Sequence, residues 1–501
     1  MRKRKAIINI LSTITLQLVT IICGFIVPRL IIGNFGSNVN GLVNSITQFL
    51  AYITLLESGF GPVVKSVLYK PIAKKDKTTI QEILKTSEKF FRKISYIFLA
   101  YIIALCIILP LIVSNEFDTI FTTSLVLIIA ISTFAEYYFG MTYKLYLQAE
   151  QKTYVISIIQ IATLVLNTII IVALIKLGAS IQVVKLVSAI IFVFRPILQN
   201  IYVKKKYKID LKQADGKYKI EQKWDGLAQH IAYVVHTNTD IVILTLCSNM
   251  AEVSVYSIYA MIVTKVKNIV QSFKAGIDAA FGDMLAKGEQ DNLKIAFKKY
   301  ENFYLTIATI LFSATFFLIV PFVSIYTKGI TDVNYIRPTF AYLMVIAEFI
   351  WAIRQPYNDL VKVAGHFKQT RTGAWVEAIS NIVISFILVW HFGIVGVAIG
   401  TLFAMFIRTI EFMYHSYKYI LNICIWDAFK RLIVIIIQVC IVGVIVYKLL
   451  QSDIDNYTTW VIQAIEVVLI NSAVIILTNL LLFRTHKKIK NGDNNEFNKE
   501  N

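Results

Sequence analysis

The chain has 501 residues, 57% of them hydrophobic and 16% charged, with a mean hydropathy of +0.65. That composition excludes a soluble protein of ordinary type and points to an all-α polytopic membrane protein. The formal net charge of +19 would suggest nucleic acid in a soluble chain, but here it sits in loops between apolar runs. We assign it to topology and to attraction for anionic lipid, and expect no nucleic-acid partner.

Crossing a hydrocarbon core of about 30 Å takes about 20 apolar helical residues. Fourteen runs meet that need, near 6–28, 38–60, 94–113, 119–139, 154–175, 182–203, 226–247, 254–275, 303–326, 338–360, 374–391, 394–416, 432–450 and 459–483. The first follows a charged start but carries no small-residue cleavage site, so it is expected to stay as span 1. It bears Asn9, Thr13 and Gln17 on one face, and span 2 bears Asn44 and Gln48. Glu136 interrupts span 4 and Arg195 interrupts span 6. Span 7 has a stripe through Gln229, Tyr233, His236 and Asp240. Span 8 is the least lipid-like, with Lys267, Gln271, Lys274 and Asp278 on one stripe and Lys265, Asn268 and Ser272 on the next. A lysine at mid-bilayer costs on the order of 3 kcal/mol even on the mildest scale, so this helix is expected to face water or to pair its charges within protein. Glu348 and Arg354 fall in span 10 and Arg408 in span 12.

These charges repeat. Glu136 and Glu348 are 212 residues apart, Arg195 and Arg408 213 apart. Spans 1–6 and 7–12 therefore read as two copies of one six-helix lobe, with spans 13 and 14 as additions. The expected organisation is an N-lobe at 1–205, a basic cytoplasmic linker at 206–224, a C-lobe at 225–420, spans 13 and 14 at 421–485, and a polar cytoplasmic tail at 486–501. Basic clusters at residues 2–5, 65–93, 204–223, 274–299 and 484–499 place both termini in the cytoplasm, since the intervening loops hold few cations.

Lys265, Lys267 and Arg354 have no charged repeat counterparts, because Ile53, Leu55 and Thr142 stand at the matching positions. With Asn268 and Gln271 beside them, three added cations favour an anionic ligand; snorkelling or structural pairing is the alternative. Glu136 with Arg195, and Glu348 with Arg408, read either as buried pairs inside each lobe or as proton- or cation-coupling groups. Glu57 and Asp240 are further coupling candidates. The six histidines show no metal-ligand spacing and the five cysteines are scattered. No phosphate loop, triad or paired-carboxylate site is present, so neither enzyme activity, metal nor cofactor is expected; H+ or Na+ coupling stays open.

The layout resembles the oligosaccharide flippase (Wzx-like, O-antigen transporter) branch of the multidrug/oligosaccharidyl-lipid/polysaccharide (MOP) exporter superfamily. The features that carry the likeness are the basic amino terminus, Arg29 followed by Gly33 and Gly36 after span 1, Glu57-Ser58-Gly59-Phe60-Gly61 closing span 2, and Asp240 with Tyr256 across spans 7 and 8. The resemblance implies a V-shaped, MATE/MurJ-like pair of lobes with a central cavity lined by spans 1, 2, 7 and 8. It implies flipping of an undecaprenyl-pyrophosphate-linked oligosaccharide to the outer leaflet of the bacterial cytoplasmic membrane, for cell-surface polysaccharide biosynthesis, by alternating access. Lys265, Lys267 and Arg354 would then meet pyrophosphate. The neutral stripes through Asn9, Thr13, Gln17, Asn44, Gln48, Gln229, Tyr233 and His236 would suit sugar hydroxyls. Spans 13 and 14 would offer a groove for the prenyl tail. Expected partners are membrane lipids and the polymerase and glycosyltransferases of the same pathway.

Two other readings make different demands. A MATE-type cation or drug antiporter would want acidic dominance in the cavity. A membrane polysaccharide polymerase would want a large outer loop with catalytic residues, whereas the longest expected here is the stretch from Thr327 to Arg337.

Overall fold

The computed structural model describes residues 2–57, 59–211, 214–220, 227–274, 277–449 and 454–497, and side chains within 7–480 except 58, 212–213, 221–229, 232, 236, 275–276 and 449–453. All regular structure among the described residues is helical. The first half comprises α1 (Arg2–Phe35), α2 (Ser37–Ala51), α3 (Thr54–Glu57), α4 (Phe60–Lys74), α5 (Lys77–Ile112), α6 (Thr119–Ala135), α7 (Met141–Ala149), α8 (Thr153–Lys176) and α9 (Ile181–Tyr207). The second comprises α10 (Leu227–Cys247), α11 (Met250–Ser272), α12 (Ile277–Ala286), α13 (Gln290–Tyr326), α14 (Pro338–Val363), α15 (Arg371–Phe392) and α16 (Ile394–His415), followed by α17 (Trp426–Leu449) and α18 (Tyr457–Phe497). Five-residue π-helical segments, Glu136–Gly140 and Ser416–Ile420, join α6 to α7 and extend α16.

The chain is a multi-pass membrane protein: twelve of the described segments are long and apolar enough to cross a bilayer. The two remaining expected spans correspond to α10 and α14. At 26 residues α14 has the length to cross; what lowers its hydropathy is Glu348, Arg354, Asp359 and Lys362.

The basic stretches expected to be loops contain structure. α4 buries Phe60, Val64, Leu68 and Pro71, spaced so that they share one helical face, while Lys70 and Lys74 are exposed. Its repeat equivalent α12 buries Phe281. α5 and α13 begin well before the apolar runs and extend over 36 and 37 residues. A search for spans misses α4 and α12, which at 15 and 10 residues are too short to cross a bilayer.

Two compact units emerge. The first contains residues 1–257, 329–333 and 386–397; the second contains 258–328, 334–385 and 398–501. In the first, Ile171 and Ile175 of α8 and Val184 of α9 form a buried cluster with Val27 and Leu30 of α1. α2 and the start of α11 approach so closely that a Cβ on Gly41 would lie 1.8 Å from the Met250 carbonyl oxygen. In the second unit, α17 and α18 pack on α13 through Ala314, Leu318, Val442, Val446 and Val467. Hydrogen bonds add specificity there: Asn471 Nδ2 donates to Ser313 Oγ at 2.8 Å, Asn479 Nδ2 to Thr306 Oγ1 at 2.9 Å, and Gln438 Nε2 to Thr478 Oγ1 at 2.6 Å. Polar bridging of this kind holds helices together where lipid removes the hydrophobic drive.

Candidate functional site: intramembrane charges of the second unit

Lipid offers a charge no hydration, so each intramembrane ion takes the nearest counter-ion or donor. In the second unit this produces a ladder between α11 and α14. Lys267 Nζ lies 2.7 Å from Glu348 Oε2 and 4.2 Å from the centroid of the Trp351 ring. One heptad on, Lys274 Nζ meets Gln355 Oε1 and Asp359 Oδ1, each at 2.8 Å, and Tyr300 of α13 donates to the other Asp359 oxygen at 2.9 Å. Lys267 and Lys274 are seven residues apart, as are Glu348 and Gln355 on α14, with Lys274 in the turn just past the end of α11.

Beside the ladder lies a second cluster. Glu377 of α15 holds Arg354 at 2.7 Å through one carboxylate oxygen and Arg408 at 3.2 Å through the other. Arg408, fully buried, also pairs with Glu411 and donates to the Thr370 carbonyl at 2.9 Å. Toward the far ends of the same helices, Glu301 accepts from Tyr357 at 2.6 Å and from Tyr417 at 3.0 Å. His366 and His415 meet ring to ring at 2.9 Å.

This geometry corrects several expectations. Glu348 forms an ion pair with Lys267, and Arg408 with Glu377 and Glu411. In the first unit Glu136 pairs with Lys144 at 2.8 Å, while Arg195 Nε donates to Thr163 at 2.8 Å and its guanidinium lies 4.0 Å from the Phe192 ring centroid. The four expected members are present inside helices, each with further partners, and Glu136 lies near enough to Arg195 to act on it electrostatically. The three cations expected to be open for an anion differ from one another. Lys267 and Arg354 are ion-paired, whereas Lys265, half-buried, has no carboxylate partner among the described residues. Asn268 and Gln271 are exposed on the same helix.

The polar stripes also divide. Asn9 is occupied by backbone, donating to the Gln151 carbonyl at 3.1 Å and accepting from the Tyr154 amide at 2.9 Å, so it caps α8 instead of presenting a free amide. Asn44 donates to the Asn40 carbonyl at 2.8 Å. Thr13, Gln17 and Gln48 are half-buried, and Tyr233 is exposed. The side chains of Gln229 and His236 lie outside the described residues. Asp240, buried, accepts from Tyr256 at 2.8 Å, and Glu57 accepts from Tyr137 at 3.3 Å. Sequence reasoning missed Glu377, Glu411, Lys144 and Glu301. A carboxylate such as Glu377 inside an apolar run was the available signal, the same one that drew attention to Glu136 and Glu348.

No protein-family model and no curated protein sequence matches the chain. Solved structures do. The lipid II flippase MurJ in an inward closed conformation superposes with a TM-score of 0.64 at 15% identity, covering 95% of this chain and 100% of that one. An inward-facing multidrug resistance MATE family transporter of the MOP superfamily gives 0.61 at 12% identity, covering 80% of this chain and 94% of that one. The eukaryotic MATE transporter AtDTX14 gives 0.59 at 12% identity, covering 85% and 99%. The fold is MurJ- and MATE-like. The expected fold class is therefore the one observed.

Proposed function

We propose that this protein is a MOP-type flippase of the Wzx-like branch that moves undecaprenyl-pyrophosphate-linked oligosaccharide units between leaflets of the bacterial cytoplasmic membrane by alternating access. The observation that carries the reading is the extent of the likeness to the lipid II flippase. It covers 95% of the chain, against 80% and 85% for the two MATE structures. The difference is about the length of Trp426–Phe497, the two helices that pack on α13.

Charge adds support. The described ion pairs of the second unit balance lysines and arginines against carboxylates, which is not the acidic excess that a cation exporter would want. Lys265, with Asn268 and Gln271, becomes the leading candidate for the pyrophosphate. Lys267 and Arg354 take the part of positioning residues that hold α11 and α15 against α14. Glu57 and Asp240 are the coupling candidates if H+ or Na+ drives the cycle.

The test is transport by purified protein in proteoliposomes holding a fluorescent pyrophosphate-linked glycolipid, read by a membrane-impermeant quencher. Wild type is expected to equilibrate the lipid between leaflets and Lys265→Ala to slow it about tenfold, the loss of one charge-assisted contact. Absence of flipping by wild type, together with uptake of a cationic dye, would overturn the reading in favour of an antiporter.

A further inference from the structure

Helices α2 and α11 are repeat equivalents, and their first residues, Ser37 and Met250, are 213 positions apart. Each begins with backbone amides that need an acceptor. In α2 the preceding residue is Gly36, with φ of 86°, which supplies no side-chain cap. The cap comes from 295 residues away: Asp332 accepts from the Ser37 amide at 2.7 Å through one oxygen and from the Ser37 hydroxyl at 2.8 Å through the other. In α11, Asn249 accepts from the Glu252 amide at 2.9 Å, and the Met250 amide is bound by both carboxylate oxygens of Glu116, each at 3.1 Å.

The two caps are reciprocal. Asp332, from the second sequence repeat, closes the helix start of the first repeat; Glu116, from the first, closes the helix start of the second. The donors of the carboxylates are themselves equivalent connections, α5 to α6 and α13 to α14. All four residues belong to the first compact unit, whose boundaries gather residues 329–333 with residues 1–257. Below the caps the same helices continue the contact: Asn40 Nδ2 donates to Ser254 Oγ at 2.8 Å, and Ser45 bonds Thr245 at 2.7 Å. A negative carboxylate at a helix N-terminus is favoured by both the free amides and the helix dipole. The caps rest on one loop side chain each, Asp332 and Glu116, above the close approach of α2 to α11 at Gly41.

We infer that Glu116 and Asp332 form a symmetric latch that keeps the starts of α2 and α11 sealed against each other, and that its release exposes the buried polar contacts beneath. The loop charges assign this end of the helices to the outside. The inference deepens the transport reading, since alternating access requires one end to seal reversibly, but its test needs no substrate.

The reporter is Ser254→Cys, a near-isosteric change at a fully buried position, in the full chain with its five native cysteines replaced. It is reconstituted in lipid nanodiscs, so that both faces are reachable, and labelled with a membrane-impermeant maleimide. Asp332→Ala and Glu116→Ala are each expected to raise the labelling rate about tenfold, as loss of a charge-assisted hydrogen bond shifts a two-state equilibrium, and the double variant further still. The isosteric Asp332→Asn and Glu116→Gln report the same direction if an alanine variant fails to fold. Labelling as slow as in the parent, in properly folded double variants of either kind, overturns the latch. Failure of lipid flipping with labelling that responds as expected overturns the transport reading and leaves the latch standing.

Discussion

Deleting the Glu377 carboxylate gives the most direct measure of how the second unit tolerates its intramembrane charge. Glu377 is 4% exposed and bridges Arg354, 8% exposed, to Arg408, which is fully buried. Glu377→Ala leaves two buried guanidinium groups facing the single carboxylate of Glu411. Removing one partner of a buried pair typically costs about 3–5 kcal/mol, because the remaining ion has neither water nor a counter-charge. Here the full range is expected, since Arg408 cannot reach solvent by snorkelling. Arg354→Met should cost a similar amount by stranding part of the Glu377 charge. The double variant Arg354→Met/Glu377→Ala returns the cluster to one cation and one anion, Arg408 and Glu411. It should therefore lose at least about 2 kcal/mol less than the sum of the singles. The assay is denaturant unfolding of the purified protein in mixed micelles, followed by tryptophan fluorescence. Additive losses would refute the reasoning, and so would a Glu377→Ala variant as stable as the parent.

Lys267→Met should destabilise by about 2–4 kcal/mol, by stranding Glu348 and removing the ammonium from the Trp351 ring, and Glu348→Gln in the same chain should recover part of that loss in a thermal-unfolding comparison. Gly41→Ala forces a Cβ to within 1.8 Å of the Met250 carbonyl, which backbone must move to relieve; a loss of at least about 3 kcal/mol is expected, read by the same unfolding assay. Asp76 caps α5 by accepting from the Thr79 amide, and the Thr79 and Thr78 hydroxyls hold its carboxyl down at about 2 against an ordinary 3.8. A folded value below the unfolded one means the cap is at full strength above the unfolded value and is lost as pH falls toward 2. Hydrogen exchange in the first turn of α5 should accelerate over that window, and Asp76→Asn should abolish the pH dependence.

The sequence by itself determined the membrane class, the approximate position of each span and the twofold repeat, because the bilayer imposes a length and a polarity that each segment must satisfy alone. The charges that recur at an offset of about 212 residues were legible for the same reason. The short helices α4 and α12 were not, since at 15 and 10 residues within basic stretches they do not meet the length that a bilayer imposes. Nor was the pairing of charges. Glu348 could be seen as a costly intramembrane ion, but whether Arg408 or Lys267 would neutralise it depends on which helix lies beside α14 and on a register of a few ångströms. The tertiary structure decided that, tying Lys267 and Arg354 to carboxylates and leaving Lys265 without one among the described residues. It also brought Asp332 to Ser37 and Glu116 to Met250. Each residue looks like an ordinary loop acid when read along the chain, because a helix end reveals its need for an acceptor only when the fold shows what stands in front of it.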